Sequence, residues 1–336
     1  MTTDEARFAR LIGEGLEFSF DYRDGLTNHD LMALTAQHRL SRRLSLSSDR
    51  LEPYAAAYRT RLEPVRESDL AFEAAFAPSI SARGFTAVAT EALVELGPAL
   101  PAAAGHGLLA VYFALEARPD LPVATFERHL ARALGHYRDR AVRLYDGPRG
   151  QEPFASVLRA LPELDGARHR EIRALSLITL RQAAAARTPE FVAAAARACP
   201  PPDVLEVARV LARVAVVDPN FTLLHGLTTA QAILDLPGLL PELDVAPLLR
   251  GHVDFVLAAC LTERLETAVA RAIDVPSTPP IDRDASLAAV AAAIATTRDD
   301  HAPKAAFSLL RFYDRTGDPV FLAAAESFVR RYGGGR

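Results

Sequence analysis

The chain has 336 residues, of which 50% are hydrophobic and 24% are charged, as in a soluble globular protein. A prior of roughly 150 residues per domain allows one large domain or two ordinary ones, and a chain of this length buries enough surface to fold without cross-links. The formal charge of −4, with no strongly basic block, argues against nucleic-acid binding, and the apolar content excludes general disorder. With only Cys199 and Cys260, the sequence offers neither a disulfide framework nor a thiolate zinc site.

The first segment, MTTDEARFARLIGEG, has charges scattered among its apolar residues. It lacks the basic start and clean apolar stretch of a secretory signal. No later stretch reaches the roughly 18 apolar residues that a membrane span needs. We therefore predict a cytoplasmic protein that does not insert into a membrane.

Helical periodicity then dominates the chain. Apolar residues recur three and four positions apart in residues 85–96, 106–117, 204–217, 253–273 and 319–332. Alanine and leucine, both strong helix formers, are the main residues there, and the alternating β-branched runs typical of strands are scarce. The sequence predicts roughly a dozen or more helices and little or no sheet. We expect an all-α fold in which one large multi-helix domain, residues 1–336, encloses the site between helices.

Several helix boundaries are marked by capping residues. Asn220 is a predicted N-cap, the pair 299–300 precedes another helix, and residues 316–319 (Thr-Gly-Asp-Pro) separate the last two helices. Residues 146–150 and 275–280 are predicted loops, and residues 333–336 are a predicted frayed end.

The nine histidines divide by context. Charged neighbours, typical of a solvated helix face, surround His38, His129, His136 and His169, whereas the context of His252 is ambiguous. The other four lie close to predicted helix starts and lead into small or apolar residues; they are His29, His106, His225 and His301. The positive end of a helix dipole keeps imidazole neutral, which is the form that binds a metal. A single such histidine is more often a core or capping residue, but a helical bundle is able to gather four of them into one site.

Lys304 lies three residues after His301, so the two share a helix face. Its neighbours are mostly apolar, which is unusual for an ammonium group. A buried lysine has a lowered pKa and becomes a neutral amine that acts as a base, forms a Schiff base or takes up carbon dioxide as a carbamate. In the alternative, the stem lies along the surface and the amine reaches water.

Four stretches, in order, resemble the questin oxidase-like family. They are residues 27–64 (beginning TNHDLMAL), 106–117 (HGLLAVYFALEA), 218–241 (DPNFTLLHGLTTAQAILDLPGLLP) and 299–328 (beginning DDHAPKAAFSLL). The resemblance implies an all-helical fold and oxidation of aromatic polyketides such as anthraquinones. Some members are described as Baeyer–Villiger oxidases that use a reduced nicotinamide cofactor. Others are similar to non-haem iron oxygenases whose metal is held by four histidines and a carboxylated lysine.

The resemblance implies that five residues of this chain form such a ligand set, each of which matches one motif of the family. His29 matches the Asn-His motif, His106 the histidine before the middle apolar helix, and His225 the Phe-x-x-x-His-Gly-x-Thr motif. His301 and Lys304 match the Asp-x-His-x-x-Lys motif near the C-terminus. The chain is shorter than typical fungal members, and its composition suggests a different pathway and substrate. It contains no Gly-x-Gly-x-x-Gly fingerprint and no P-loop, which favours the metal over the nicotinamide hypothesis.

The leading hypothesis is that the protein is an oxygenase, and the expected chemistry is that of a dioxygenase. Iron(II) suits a site rich in imidazole with one anionic oxygen, although zinc, manganese or cobalt also fit such ligands. Dioxygen would be the co-substrate, and a small aromatic phenol or quinone from secondary metabolism would undergo carbon–carbon cleavage or oxygen insertion. Lys304 is the candidate catalytic residue, because its carbamate would have to leave the metal when substrate and oxygen bind together.

Three alternatives remain open at this stage: an NADPH-dependent Baeyer–Villiger-type oxidase, a zinc hydrolase and a non-catalytic helical scaffold. Asn28 and Asp300 are candidates to orient the ligand histidines, with helix capping as the competing role. Tyr22, Tyr112 and Phe221 are candidates to line an aromatic pocket, although core packing is the commoner role of such residues. The oligomeric state is not indicated by the sequence.

Overall fold

The computed structural model describes residues 2–23, 25–201, 203–274 and 281–333. Helices form almost all the regular structure of these residues, which confirms the predicted all-α class. The eighteen α-helices within this part of the chain are α1 (Thr3–Gly15), α2 (Asp30–Leu44), α3 (Leu51–Arg59), α4 (Glu67–Arg83), α5 (Phe85–Leu96), α6 (His106–Ala117), α7 (Val123–Asp139), α8 (Phe154–Arg159), α9 (Gly166–Arg173), α10 (Ile178–Ala185), α11 (Pro189–Arg197), α12 (Val204–Val217), α13 (Phe221–Leu239), α14 (Ala246–Glu263), α15 (Glu266–Asp274), α16 (Arg283–Thr296), α17 (His301–Thr316) and α18 (Pro319–Tyr332).

Extended structure within the described ranges consists of two pairs of two-residue strands and one isolated antiparallel bridge between Phe18 and Pro64. Strands β1 (Asp21–Tyr22) and β2 (Leu26–Thr27) are antiparallel, with Tyr22 opposite Leu26. Strands β3 (Glu152–Pro153) and β4 (Ala198–Cys199) are parallel. They tie loops together between helices and build no layer of their own.

The predicted caps are present. The side chain of Asn220 accepts hydrogen bonds from two amides in the first turn of α13. The Asp299 carboxylate accepts hydrogen bonds from the first two backbone amides of α17. Gly317 ends that helix with a φ of 67°, and Asp318 caps α18. The residue types at these positions therefore fix the ends of α13, α17 and α18.

One periodic stretch is broken where the sequence gives no sign of a break. Residues 253–273 divide between α14, which ends at Glu263, and α15, which begins at Glu266. Arg264 between them is left-handed, with a φ of 54°, and this conformation stops the helix. The predicted loop at 146–150 is irregular, whereas the predicted loop at 275–280 and residues 334–336 lie outside the described ranges.

The centre of the fold is a ring of four helices. Helix α6 packs against α2 and α13, and α17 packs against the same two helices, so each has two neighbours within the ring. In α6 all residues from His106 to Leu115 are buried, because α7 covers the side that the ring leaves open. The surrounding helices, including α12, α14 and α18, cover the outside of α13 and α17. A single extensive apolar core connects these helices.

The expected solvent exposure of three histidines is wrong. His38, His129 and His136 are each at most 1% exposed, and His169 is half-buried with its Nε2 3.1 Å from the Thr262 carbonyl oxygen. Their charged neighbours in sequence are poor guides, since adjacent residues of a helix point about 100° apart. His252, ambiguous in the sequence, is buried, and its Nε2 lies 2.9 Å from the Gly226 carbonyl oxygen.

No helix among the described residues combines the length and the apolar character needed to cross a lipid bilayer.

Candidate metal centre

Four histidines meet where the helices of the central ring begin. His29 immediately precedes α2, His106 and His301 are the first residues of α6 and α17, and His225 lies in the first turns of α13. The ring centroids are 4.3 Å apart for His29–His106, 4.6 Å for His29–His301 and 4.7 Å for His106–His225. Nitrogen atoms of His29, His106 and His301 all lie within 4.8 Å of one another. We call these four residues the histidine cluster.

Backbone carbonyls orient two of the imidazoles. Nδ1 of His225 lies 2.9 Å from the Phe221 carbonyl oxygen, and Nδ1 of His106 contacts the Ala103 carbonyl oxygen. A carbonyl oxygen only accepts hydrogen bonds, so each Nδ1 carries the proton. In the neutral imidazole, the Nε2 atom then presents a lone pair.

Those two lone pairs face each other, because the Nε2 atoms of His106 and His225 are 3.1 Å apart. Two acceptors at this separation repel each other unless a cation lies between them. Two nitrogens bound at right angles, each about 2.1 Å from a metal ion, would be about 3 Å apart. The pair therefore fits two adjacent ligands of one ion.

The Asp300 carboxylate orients the other two imidazoles. Its Oδ2 contacts Nδ1 of His29 and lies 3.2 Å from Nδ1 of His301. Burial opposes ionisation of Asp300, but the neighbouring His301 and His29 outweigh burial and hold its pKa well below the usual range. A carboxylate on the outer nitrogen is the usual partner of a metal-binding histidine. Nε2 of His301 is buried and has no partner among the described residues.

The surroundings of the cluster favour the neutral form of each imidazole. Burial is the main cause that lowers the pKa of each of its four histidines, and the pKa of His225 falls to about 3. Neutral imidazoles are available to a metal without first losing a proton.

Lys304 is fully buried beside the cluster, so the alternative in which its amine reaches water is wrong. Its Nζ has no hydrogen-bond partner in the described part of the chain. Burial lowers the pKa of Lys304 to about 8, against the opposing charges of Asp300 and Asp299. Its charge contributes to the lowered pKa of all four cluster histidines. The structure thus brings the four predicted histidines together, and Lys304 is buried one helical turn after His301 on α17.

A left-handed turn precedes His106. Ala103, Ala104 and Gly105 have φ values of 47°, 58° and 86°. Left-handed backbone is disfavoured for alanine, so this turn stores strain. The turn aims the Ala103 carbonyl at His106. A side chain at Gly105 would lie 2.7 Å from Cγ2 of Thr229, which leaves space for glycine alone.

A cavity of about 570 Å³ opens beside the cluster. His29, His106 and His301 form one wall, and the aromatic residues Tyr22, Phe221 and Tyr332 line the same space. The Phe221 ring is 4.5 Å from that of His301. The Tyr332 hydroxyl donates a hydrogen bond to the Pro219 carbonyl, 3.0 Å away. This volume accommodates a small multi-ring ligand.

Two candidate residues have other roles. Tyr112 lies in the core instead of the cavity, where its hydroxyl accepts a 2.8 Å hydrogen bond from Gln231. Asn28 stabilises the start of α2, because its Oδ1 accepts from the amide of Asp30 at 2.9 Å. Its amide nitrogen donates to the Ser19 carbonyl, so it does not orient His29.

Sequence reasoning missed the two carbonyls that orient His106 and His225, and the cavity arginines Arg61 and Arg181. No residue type signals which carbonyl a histidine will contact. The Phe221 carbonyl was accessible to inference, since it lies four residues before His225 on the same helix.

Comparisons with known proteins identify no family for the chain: no family model, no curated protein and no solved structure matches it.

Proposed function

We propose that the protein is a non-haem metal-dependent oxygenase, with iron(II) as the metal and an aromatic phenol or quinone of secondary metabolism as the substrate. The observation that carries the proposal is the 3.1 Å approach of Nε2 of His106 to Nε2 of His225, while Nδ1 of each ring contacts a backbone carbonyl. The sequence resemblance to the questin oxidase-like family points to the same chemistry.

His29, His106, His225 and His301 would hold the ion, with Lys304 as a fifth ligand. A ligand set rich in imidazole suits iron(II), and zinc, manganese and cobalt also accept it. When bound, a redox-active ion supplies the electrons that activate dioxygen. Asp300 fixes the ring orientation of His29 and His301 and keeps a negative charge next to the site.

Lys304 would become a ligand by reaction with carbon dioxide. The lone pair of its neutral amine adds to the carbon of carbon dioxide, so that a nitrogen–carbon bond forms and one amine proton is released to water. The product is a carbamate, which gives the buried side chain an anionic oxygen. The lowered pKa of Lys304 favours this step, because a larger fraction of the amine is unprotonated at neutral pH.

The cavity would hold the substrate ring against the cluster. Phe221 and Tyr22 provide apolar faces for an aromatic ring, and the surrounding helices limit the access of water to the histidines.

Metal analysis of the purified protein tests the proposal. We expect about one iron per chain in the wild type after anaerobic loading, and loss of that iron in His225→Ala. His252→Ala is the matched control, since His252 is equally buried but bonds only a backbone carbonyl. Circular dichroism establishes that each variant is folded, and His225→Gln serves as a second variant.

Each outcome has a definite meaning. Zinc that is lost in His225→Ala and is not replaced by iron would overturn the oxygenase in favour of a hydrolase. Absence of metal from the folded wild type, after loading, would overturn the metal centre itself.

The Lys304 role has its own test. Carbon-13 bicarbonate should give a carbamate signal in the NMR spectrum of the metal-loaded wild type, and Lys304→Ala should lack it. Full iron content and full activity in Lys304→Ala would remove Lys304 from the ligand set.

A further inference from the structure

Two arginines line the cavity beside the histidine cluster. Arg61 is exposed and Arg181 is half-buried, and neither has a carboxylate within 4.0 Å among the described residues. Arg61 is close enough to His29 for its charge to contribute to the lowered pKa of that histidine.

Local contacts hold both guanidinium groups. The guanidinium carbon of Arg61 lies 4.3 Å from the centre of the Tyr58 ring. Nε of Arg61 also donates a hydrogen bond to the Tyr58 carbonyl at 3.4 Å. Nε of Arg181 donates a 2.8 Å hydrogen bond to the Leu175 carbonyl, and its Nη2 lies 3.5 Å from the Ser176 carbonyl oxygen. These contacts limit the motion of each side chain and leave other guanidinium N–H groups available to a ligand.

The acidic residues of the cavity are already engaged. Asp300 contacts the imidazoles of His29 and His301, and Asp299 accepts two backbone amides at the start of α17. The other titratable groups among the described lining residues are the imidazoles of the histidine cluster that face the cavity and the phenols of Tyr22 and Tyr332. Neither carboxylate forms an ion pair with the arginines, and within the described ranges neither arginine forms an ion pair with any other residue.

We propose that the substrate is an aromatic carboxylate whose carboxylate group binds Arg61 and Arg181. A guanidinium group matches the two oxygens of a carboxylate, and its hydrogen bonds to an anion are about twice as strong as those between neutral groups. The ring then lies between this anion site and the cluster, where Phe221 offers an aromatic face. This inference rests on the proposed function, for which it names the substrate class.

Calorimetric titration of metal-free protein tests the anion site without the metal, which would itself bind a carboxylate. The probes are a hydroxynaphthoate and the matching hydroxynaphthamide, which have the same shape but differ in charge. We expect wild type to bind the carboxylate about tenfold more tightly than the amide. Arg61→Met and Arg181→Met should each reduce this preference, and the double variant should abolish it.

Arg187→Met is the matched control, because Arg187 follows α10 closely, is exposed and does not line the cavity. It should keep the full preference. Equal binding of the two probes by wild type, or a preference that both cavity variants retain, would overturn the proposal. Tighter binding of a naphthylmethylamine than of the carboxylate would also overturn it, by showing that Asp299 dominates the cavity.

The two proposals fail separately. If no metal binds but the arginine-dependent preference is present, only the oxygenase fails. If metal binds and the preference is absent, only the substrate class fails.

Discussion

Buried histidines occur in two settings in this protein, and the difference lies in what their rings face. His38 stacks on Phe8 at 4.1 Å, and His136 stacks on Phe20 at 4.6 Å. The cluster histidines instead contact one another, and the shortest approach joins two nitrogen atoms. In the first setting an aromatic side chain covers the face of the imidazole, whereas in the second the imidazoles lie against one another.

Burial alone therefore does not identify a functional histidine here. Both groups are almost inaccessible to solvent, and burial lowers the pKa of His38 and His129 as it does in the cluster. The distinguishing feature is that carbonyl and carboxylate groups fix Nδ1 and direct Nε2 inward. Three predictions sharpen this contrast.

The largest expected effect is a loss of metal affinity when Asp300, the aspartate beside the cluster, is replaced. An aspartate beside one of the other buried histidines serves as its control. Asp300→Asn should weaken metal binding by about 10-fold to 100-fold, because it removes the charge that orients His29 and His301. Competition against a chelator measures this affinity. Asp120→Asn is the matched change beside His38, whose Nε2 lies 3.5 Å from Asp120.

Asp120→Asn should lower stability without changing metal affinity, since Asp120 also pairs with Arg39 and Arg42. Equal losses of metal affinity in the two variants would mean that Asp300 has only a structural role.

A second prediction concerns the pH dependence of stability. Burial lowers the pKa of His129 from 6.5 to about 3 in the folded protein. Between these values the unfolded chain binds a proton that the folded chain does not, so this contribution to stability is complete about one pH unit above 6.5 and is lost as the pH falls. Between pH 6.5 and pH 5 the free energy of unfolding of His129→Leu should therefore fall by about 1.5 kcal/mol less than that of the wild type.

Urea unfolding at several pH values measures that difference. Between pH 7 and pH 8, where His129 stays neutral in both states, the two proteins should change in parallel. A variant that follows the wild-type curve at acidic pH would contradict the assignment.

The smallest effect is expected in the strained turn of the cluster. Ala104→Gly should stabilise the fold by about 1 kcal/mol, since glycine adopts the left-handed conformation without the steric cost that alanine has there. Ala110→Gly, in the buried interior of α6, should have the opposite sign. A loss of stability in Ala104→Gly would show that packing of its methyl group outweighs backbone strain.

The sequence was a reliable guide wherever the signal was local. Asn220 and Gly317 predicted the ends of α13 and α17, because a cap depends on neighbouring residues. His29 and Lys304 were singled out because a polar group beside an apolar run is locally unusual. Their convergence followed from the resemblance and from the general ability of helical bundles to gather ligands.

Other features depend on partners that are distant in the chain. His129 has charged neighbours in sequence, yet it is buried against other parts of the fold. Arg181 of α10 lines the same cavity as His301 of α17, a placement that no pattern near Arg181 reveals. The helix break at Arg264 was also not predicted, because the left-handed residue there is an arginine and not the glycine that commonly marks a helix end.

The last turn of α18 has a consequence for how the protein is handled. Tyr332 lies at the end of that helix and lines the cavity. Its hydroxyl donates a hydrogen bond to the Pro219 carbonyl, just before α13. Shortening the chain by a few residues would leave the central ring of helices intact while removing one side of the binding space. Expression tags are therefore better attached at the other end, and a truncated product that still folds should differ from the intact chain in which ligands it accepts.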